Sequence, residues 1–253
     1  MKNILFAVGT SILSTVCLAQ PTYVTTTTCG TGGASCTLSP NISVQTGDLI
    51  LVQVTTSSCP GSNTLTVTDG TNTYTHIVGS PWTGTGGNDC VITGILEAIA
   101  AGNATLTVVC HDSISPGFLG CSAVVYRQAS IALDQIAYLE AFHVANCTSG
   151  CVATTGTSGV TGNTSETLVS FYSAWSSASG TWTVGSGWTQ RQQITGSPIP
   201  LQYIEEKVVS SKGAYAGTVT LTVGQASIDG IIVTLGSPPF NANNSIHHRV
   251  LSQ

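Results

Sequence analysis

Residues 47–79, GDLILVQVTTSSCPGSNTLTVTDGTNTYTHIVG, constrain the fold more than any other stretch. Leu65 and Val67 alternate with Thr64, Thr66 and Thr68. That period of two turns one face of a strand greasy and leaves hydroxyls on the other. Leu49 to Val52 is instead apolar at every position, as expected of a strand near the centre of a sheet. Asp69-Gly70 between two Thr-rich strands is a strong hairpin signal. The same grammar continues to Leu235, in segments such as Leu106/Val108, Leu168/Phe171 and Ile228–Leu235. No helix of three amphipathic turns and no repeat of fixed period is found; Thr-Leu-Thr-Val recurs at 64–67, 105–108 and 220–223 as a strand idiom. The expected class is all-β: one jelly-roll-like, two-sheet antiparallel β-sandwich with disulfide-stapled loops.

The chain divides into four parts on this reading. Residues 1–19 form a signal peptide, with Lys2 before an apolar core and cleavage before Gln20. Residues 20–46 form an N-terminal strand or arm and a cysteine loop. Residues 47–236 form the sandwich, joined by 20–46 if the arm packs in its own sheet, and residues 237–253 form a tail. No later stretch approaches the ~18 apolar residues of a membrane helix, so no membrane span is expected. The expected localisation is secreted, extracellular or at the cell surface.

Charge sets further limits. Charged residues are 7% of the chain, against roughly a quarter in an ordinary soluble protein. Six Lys and Arg face eleven Asp and Glu, with no basic run. Nucleic acid binding needs a cluster of phosphate-facing cations, and this chain has none. Solubility must come from Thr, Ser, Asn and Gln. With Cys17 in the leader, Cys29, Cys36, Cys59, Cys90, Cys110, Cys121, Cys147 and Cys151 remain. An even set in an exported chain implies disulfides. Short separations favour Cys29–Cys36, Cys110–Cys121 and Cys147–Cys151, which leaves Cys59 with Cys90. The spacings do not suit zinc, and neither a metal nor a cofactor is expected.

Several of these segments also resemble a group of exported bacterial jelly-roll β-sandwich domains. The resemblance rests on Gly47-Asp48-Leu49-Ile50, on Val67-Thr68-Asp69-Gly70 with Asn72-Thr73-Tyr74-Thr75, on Ser165-Glu166-Thr167-Leu168-Val169, on Gly187-Trp188-Thr189-Gln190-Arg191 and on Gly213-Ala214-Tyr215. Members occur alone and in surface, adhesin-like and phage-tail-like proteins. These motifs are turn and strand residues, so the resemblance implies a fold and no catalytic set.

The residues themselves point away from catalysis. No Gly-x-Ser-x-Gly elbow is present. Glu205 and Glu206 are adjacent on a strand and must face opposite ways. A non-catalytic surface protein is the expectation, in one of two forms. In the first, Trp82, Tyr172, Trp175, Trp182 and Trp188 line a loop surface that stacks on neutral glycans, in a glycan-binding or adhesive module; the competing role for Trp182 and Trp188 is to cap the core. In the second, the arm Tyr23, Val24, Thr25, Thr26, Thr27 and Thr28 pairs with a neighbouring subunit, building an extracellular fibre or surface layer. Partners are then neutral glycans, other surface proteins, or further copies of the chain.

Overall fold

The structure is a computed structural model. It describes residues 20–57, 64–77, 82–83, 91–113, 117–128, 130–145, 150–176, 179–196, 198–223 and 225–237, following the backbone alone at 82–83, 138–145 and 225–227. The first half contributes β1 (Thr22–Thr31), β2 (Ser35–Thr37), β3 (Ile42–Val44), β4 (Leu49–Thr56), β5 (Leu65–Thr68) and β6 (Thr75–His76). It continues with β7 (Trp82–Thr83), β8 (Ile92–Ile99), β9 (Ala104–Leu106), β10 (Val109–Asp112) and β11 (Leu119–Arg127). The second half contributes β12 (Ala132–Ala145), β13 (Cys151–Thr154), β14 (Glu166–Trp175) and β15 (Thr181–Thr183). It ends with β16 (Thr189–Ile194), β17 (Leu201–Val209), β18 (Thr218–Thr222) and β19 (Gln225–Gly236). Among the described residues there is no helix, and all the strand pairs are antiparallel.

The all-β class holds, but one two-sheet sandwich does not describe the pairing. In the first half the strands order as β1-β11-β4-β8-β6 in a large sheet and β2-β10-β5 in a small one. In the second half they order as β12-β19-β14-β17-β16 and β13-β18-β15. The two patterns correspond strand for strand, β1 with β12, β11 with β19, β4 with β14, β8 with β17 and β6 with β16, with a three-strand sheet beside each. Only β3 and β9, which pair with each other, and β7, which pairs with β8, lack a counterpart.

Side-chain alternation explains the layering. On β4, Ile50, Val52 and Val54 join Leu65, Val67, Cys110 and Leu119 in a core between the first half's large and small sheets. Leu49 and Leu51, on the opposite face of β4, join Val124, Tyr126, Val169, Phe171, Ile204 and Val233. The second cluster therefore glues the two large sheets to each other. A further core, with Tyr172, Trp182, Tyr203, Val219 and Leu221, lies between the second half's large and small sheets. The order of layers is small sheet, large sheet, large sheet, small sheet. Both central sheets are covered on both faces, which is why β4 and β14 are apolar or small and buried almost throughout.

The seam between the large sheets is greasy at one end and hydrogen-bonded at the other. Ser122 Oγ donates to Gln202 Oε1 at 2.6 Å, and Gln202 Nε2 donates to Thr55 Oγ1 at 2.9 Å and to the Gly120 carbonyl at 3.0 Å. Gln53 Nε2 donates to the Tyr172 carbonyl at 2.9 Å, and the Thr93 and Ser173 hydroxyls meet at 2.5 Å. Gly120 faces Gln202 and the Pro200 carbonyl so closely that a Cβ there would meet the carbonyl at 3.1 Å.

Two sequence expectations resolve differently. Asp69-Gly70 does not make a hairpin: β5 pairs with β10 in the small sheet, and β6 pairs with β8 in the large one. Asp69 accepts from the backbone N–H groups of Thr71 and Asn72, the Asn72 amide and the Tyr74 hydroxyl. The carboxylate thus builds an Asx-type loop that carries the chain from one sheet to the other. The cysteine expectation holds for Cys29–Cys36 and Cys110–Cys121, each joining a large-sheet strand to a small-sheet strand. Cys151 is also disulfide-bonded; Cys59, Cys90 and Cys147 lie outside the described residues.

Candidate functional site

The expected aromatic platform is largely inside the protein. Tyr172 is fully buried, Trp182 is 5% exposed and Trp188 is 9% exposed. Trp182 stacks on Tyr203 with ring centroids 5.6 Å apart, and Trp188 packs with Leu168, Val209 and Ile232. Buried in this way the three rings present no face to a sugar; for Trp182 the cause is the strand period, which exposes Thr181 and Thr183 and sends the ring inward. Trp175 is half-buried against Phe118, and the Trp82 side chain lies outside the described residues.

The expected assembly arm sits in its own sheet. Tyr23 and Thr25 to Thr28 are paired along β11, with Val24 at a bulge. Thr26 Oγ1 donates to the Ala123 carbonyl at 2.7 Å, Thr27 Oγ1 to the Pro40 carbonyl at 2.8 Å and Thr28 Oγ1 to the Cys121 carbonyl at 2.9 Å. Across the seam the Arg191 guanidinium lies 4.1 Å from the Tyr23 ring centroid while bonded to Glu206.

Asp48, Glu205 and Glu206 are tied into the fold. Glu206 pairs with Arg191 at 2.8 Å, and Asp48 pairs with Arg127 at 2.7 Å. Glu205 points the other way, as its neighbour relation requires, and is fully buried. It accepts from the Tyr172 hydroxyl at 3.3 Å and the Gly185 N–H at 3.1 Å. Burial outweighs these donors and pushes its carboxyl up to about 7. Beside Arg127 a shallow, open cavity of about 560 Å³ is lined by Val24, Ser43, Gln45, Asn103, Thr105 and Arg127. Among the described residues no group of three His, Cys, Asp or Glu could hold a metal.

The feature that sequence reasoning missed is the outer face of the β13-β18-β15 sheet. Thr181 and Thr183 on β15, Thr218 and Thr222 on β18, and Val152 on β13 are exposed, while Trp182, Val219, Leu221 and Ala153 point inward. Register aligns Thr181 with Thr222, and Thr183 with Thr220 and Val152. Neighbouring hydroxyls therefore repeat at about 4.8 Å across strands and about 7 Å along them. Thr66 and Thr68 on β5, with Ser35 and Thr37 on β2, give the other small sheet a similar outer face. Its signal is the alternation in Thr181-Trp182-Thr183 and Thr218-Val219-Thr220-Leu221-Thr222.

The chain matches no protein-family model, no curated protein and no solved structure.

Proposed function

We propose that this protein is an exported, non-catalytic surface module, built from two jelly-roll-like sandwiches back to back, that binds neutral glycans through its hydroxyl-bearing outer sheets. The observation that carries the reading is the Thr array on β15 and β18. It is uncharged, regularly spaced and fixed by strands whose opposite faces are buried. Each Thr hydroxyl donates one hydrogen bond and accepts two, a match for the hydroxyls of a neutral sugar. A charge-poor surface loses nothing by contact with an uncharged polymer. Disulfides across the first sandwich fit an oxidising compartment, and no described helix is long and apolar enough to cross a membrane. The likeness to exported adhesin-like domains points the same way. The alternative, a fibre or surface-layer subunit joined through its N-terminal strand, is weakened because β1 already fills a place in its own sheet.

Glycan arrays, with co-sedimentation on insoluble cellulose and chitin, test the reading. The parent protein is expected to bind at least one neutral glycan. Thr183→Val with Thr218→Val keeps shape and strand preference while deleting two hydroxyls, and binding should fall about tenfold, as lost hydrogen bonds of this kind imply. A parent that binds nothing, or a double variant that binds as well, rejects it.

A further inference from the structure

Register gathers four cysteines at one spot in the first sandwich. Cys29 on β1 lies directly opposite Cys121 on β11, in the large sheet. Cys36 on β2 lies directly opposite Cys110 on β10, in the small sheet. The bridges Cys29–Cys36 and Cys110–Cys121 run between the sheets, with Cα separations of 6.0 and 6.4 Å. The four residues are thus the corners of a square with two bonded sides and two unbonded ones, and all four meet in one core cluster. Residues directly opposite on antiparallel strands share a face, with Cβ atoms about 4.5–5.5 Å apart. A disulfide needs about 3.5–4.5 Å, so each unbonded side is about an ångström from bonding distance. In the second sandwich the corresponding pair is Cys151 on β13 and Leu221 on β18, so no square forms at that place.

Access is graded across the square. Cys29 is half-buried and precedes the exposed Gly30, Cys36 is 8% exposed, and Cys110 and Cys121 are fully buried. A thiol from solution therefore meets the Cys29 sulfur first and reaches the inner bridge only through the outer one. Once the outer bridge opens, strand pairing already holds Cys36 against Cys110 and Cys29 against Cys121.

We propose that the square is a disulfide-exchange switch, triggered by a low-molecular-weight thiol, that converts two sheet-to-sheet bridges into two within-sheet bridges. An external thiolate attacks the Cys29 sulfur, forms a mixed disulfide there and releases Cys36 as a thiolate. Cys36 attacks the Cys110 sulfur, forms Cys36–Cys110 and releases Cys121 as a thiolate. Cys121 attacks the Cys29 sulfur, forms Cys29–Cys121 and expels the external thiolate unchanged. Two protein disulfides are present before and after, so no oxidant or reductant is consumed and the thiol is a catalyst. The original bridges tie β1 to β2 and β10 to β11 across the core. The exchanged ones tie β1 to β11 and β2 to β10, which backbone hydrogen bonds already join. The small sheet, with Ser35, Thr37, Thr66 and Thr68 on its outer face, then packs on the large one without those two cross-links.

Substoichiometric glutathione added to full-length protein purified without reductant tests this. Samples quenched in acid, digested with pepsin and mapped unreduced by mass spectrometry should gain peptides linking Cys29 to Cys121 and Cys36 to Cys110. Free thiol should stay at the level of the added glutathione. Cys36→Ser leaves Cys29 as a thiol beside Cys121, and should form Cys29–Cys121 and free Cys110 with no glutathione present. Cys29→Ser leaves Cys36 beside Cys110, and should form Cys36–Cys110 and free Cys121. In the exchanged parent, amide hydrogen exchange in β5 and β10 should quicken by about tenfold or more while β4 keeps its rate. The proposal is overturned if the parent and both variants keep only the original pairs. It is equally overturned if exchange runs as readily to Cys59, Cys90, Cys147 or Cys151, or if β5 and β10 are protected alike in both forms.

Discussion

At the scale of single residues, Glu205 is the side chain most out of balance with its surroundings. It is a fully buried carboxyl held by one tyrosine and one backbone N–H, with a value near 7 in place of the ordinary 4.5. The sign of its effect follows. Between those values the folded protein keeps a proton that the unfolded chain has released. Stability is full below the unfolded value, falls as pH rises through the window, and is lowest above about 7. The loss should be on the order of 2–3 kcal/mol between pH 5 and pH 8. Glu205→Gln removes the titration, so urea midpoints of parent and variant should differ more at pH 8 than at pH 5, with the variant the more resistant. Equal gaps at both pH values would show that Glu205 does not titrate in this range. Sequence alone indicated that Glu205 and Glu206 face opposite ways, because strand geometry is local. It could not indicate that one faces Arg191 and the other a closed core, because that depends on a sheet formed far away along the chain.

At the scale of elements, the N-terminal strand and the cysteines show what local reading can reach. The pairs Cys29–Cys36 and Cys110–Cys121 were legible because both close short loops between successive strands, seven and eleven residues apart. Asp69-Gly70 misled because the same dipeptide serves a hairpin and an Asx loop, and only the partners of β5 and β6 decide which. For Trp182 and Trp188 the core-capping role is the one the structure shows; sequence left it open against a sugar platform because Trp182 and its exposed Thr neighbours share a polar stretch whose inward side appears only once the sheet is placed. For β1 the structure changes the expected outcome of a deletion. As a donated arm, residues 20–28 would be dispensable for folding. As a strand paired along β11 and holding Tyr23 under Arg191, they are not. Their removal bares the β11 edge and the buried Tyr126. The truncated chain should melt roughly 10 °C or more below the parent, or be recovered aggregated. A truncated monomer as heat-stable as the parent would restore the arm to consideration.

At the scale of the whole molecule, the repeated strand order is the main feature the sequence concealed. The paired landmarks Gly47-Asp48 and Ser165-Glu166 mark corresponding places in the two halves, at the starts of β4 and β14, whereas the Thr-Leu-Thr-Val copies fall on β5, β9 and β18, which do not correspond. No fixed period marks them, because the separation of corresponding strands varies, from 106 residues between the starts of β11 and β19 to 117 between those of β4 and β14. What the halves share is pattern, with few residues in common, since a strand constrains alternation more than identity. Repetition raises the question of whether the halves fold separately. The seam argues that they do not: it joins Leu49, Leu51, Val124 and Tyr126 to Val169, Phe171, Ile204 and Val233, and it closes over the Gln202 hydrogen bonds. Neither large sheet could present such a face to water alone without exposing a large apolar patch. Amide hydrogen exchange in β4 and in β14 should therefore report the same opening free energy, as parts of one cooperative unit. Gln202→Leu strands the Ser122 and Thr55 hydroxyls and the Gly120 carbonyl, and should cost about 2–4 kcal/mol. Because Gln202 lies in the second half and the groups it holds lie in the first, protection should fall together in β4 and β14. If exchange collapses in β14 while β4 keeps its protection, the seam is an ordinary contact between two independent folding units, and the layered core does not bind them into one.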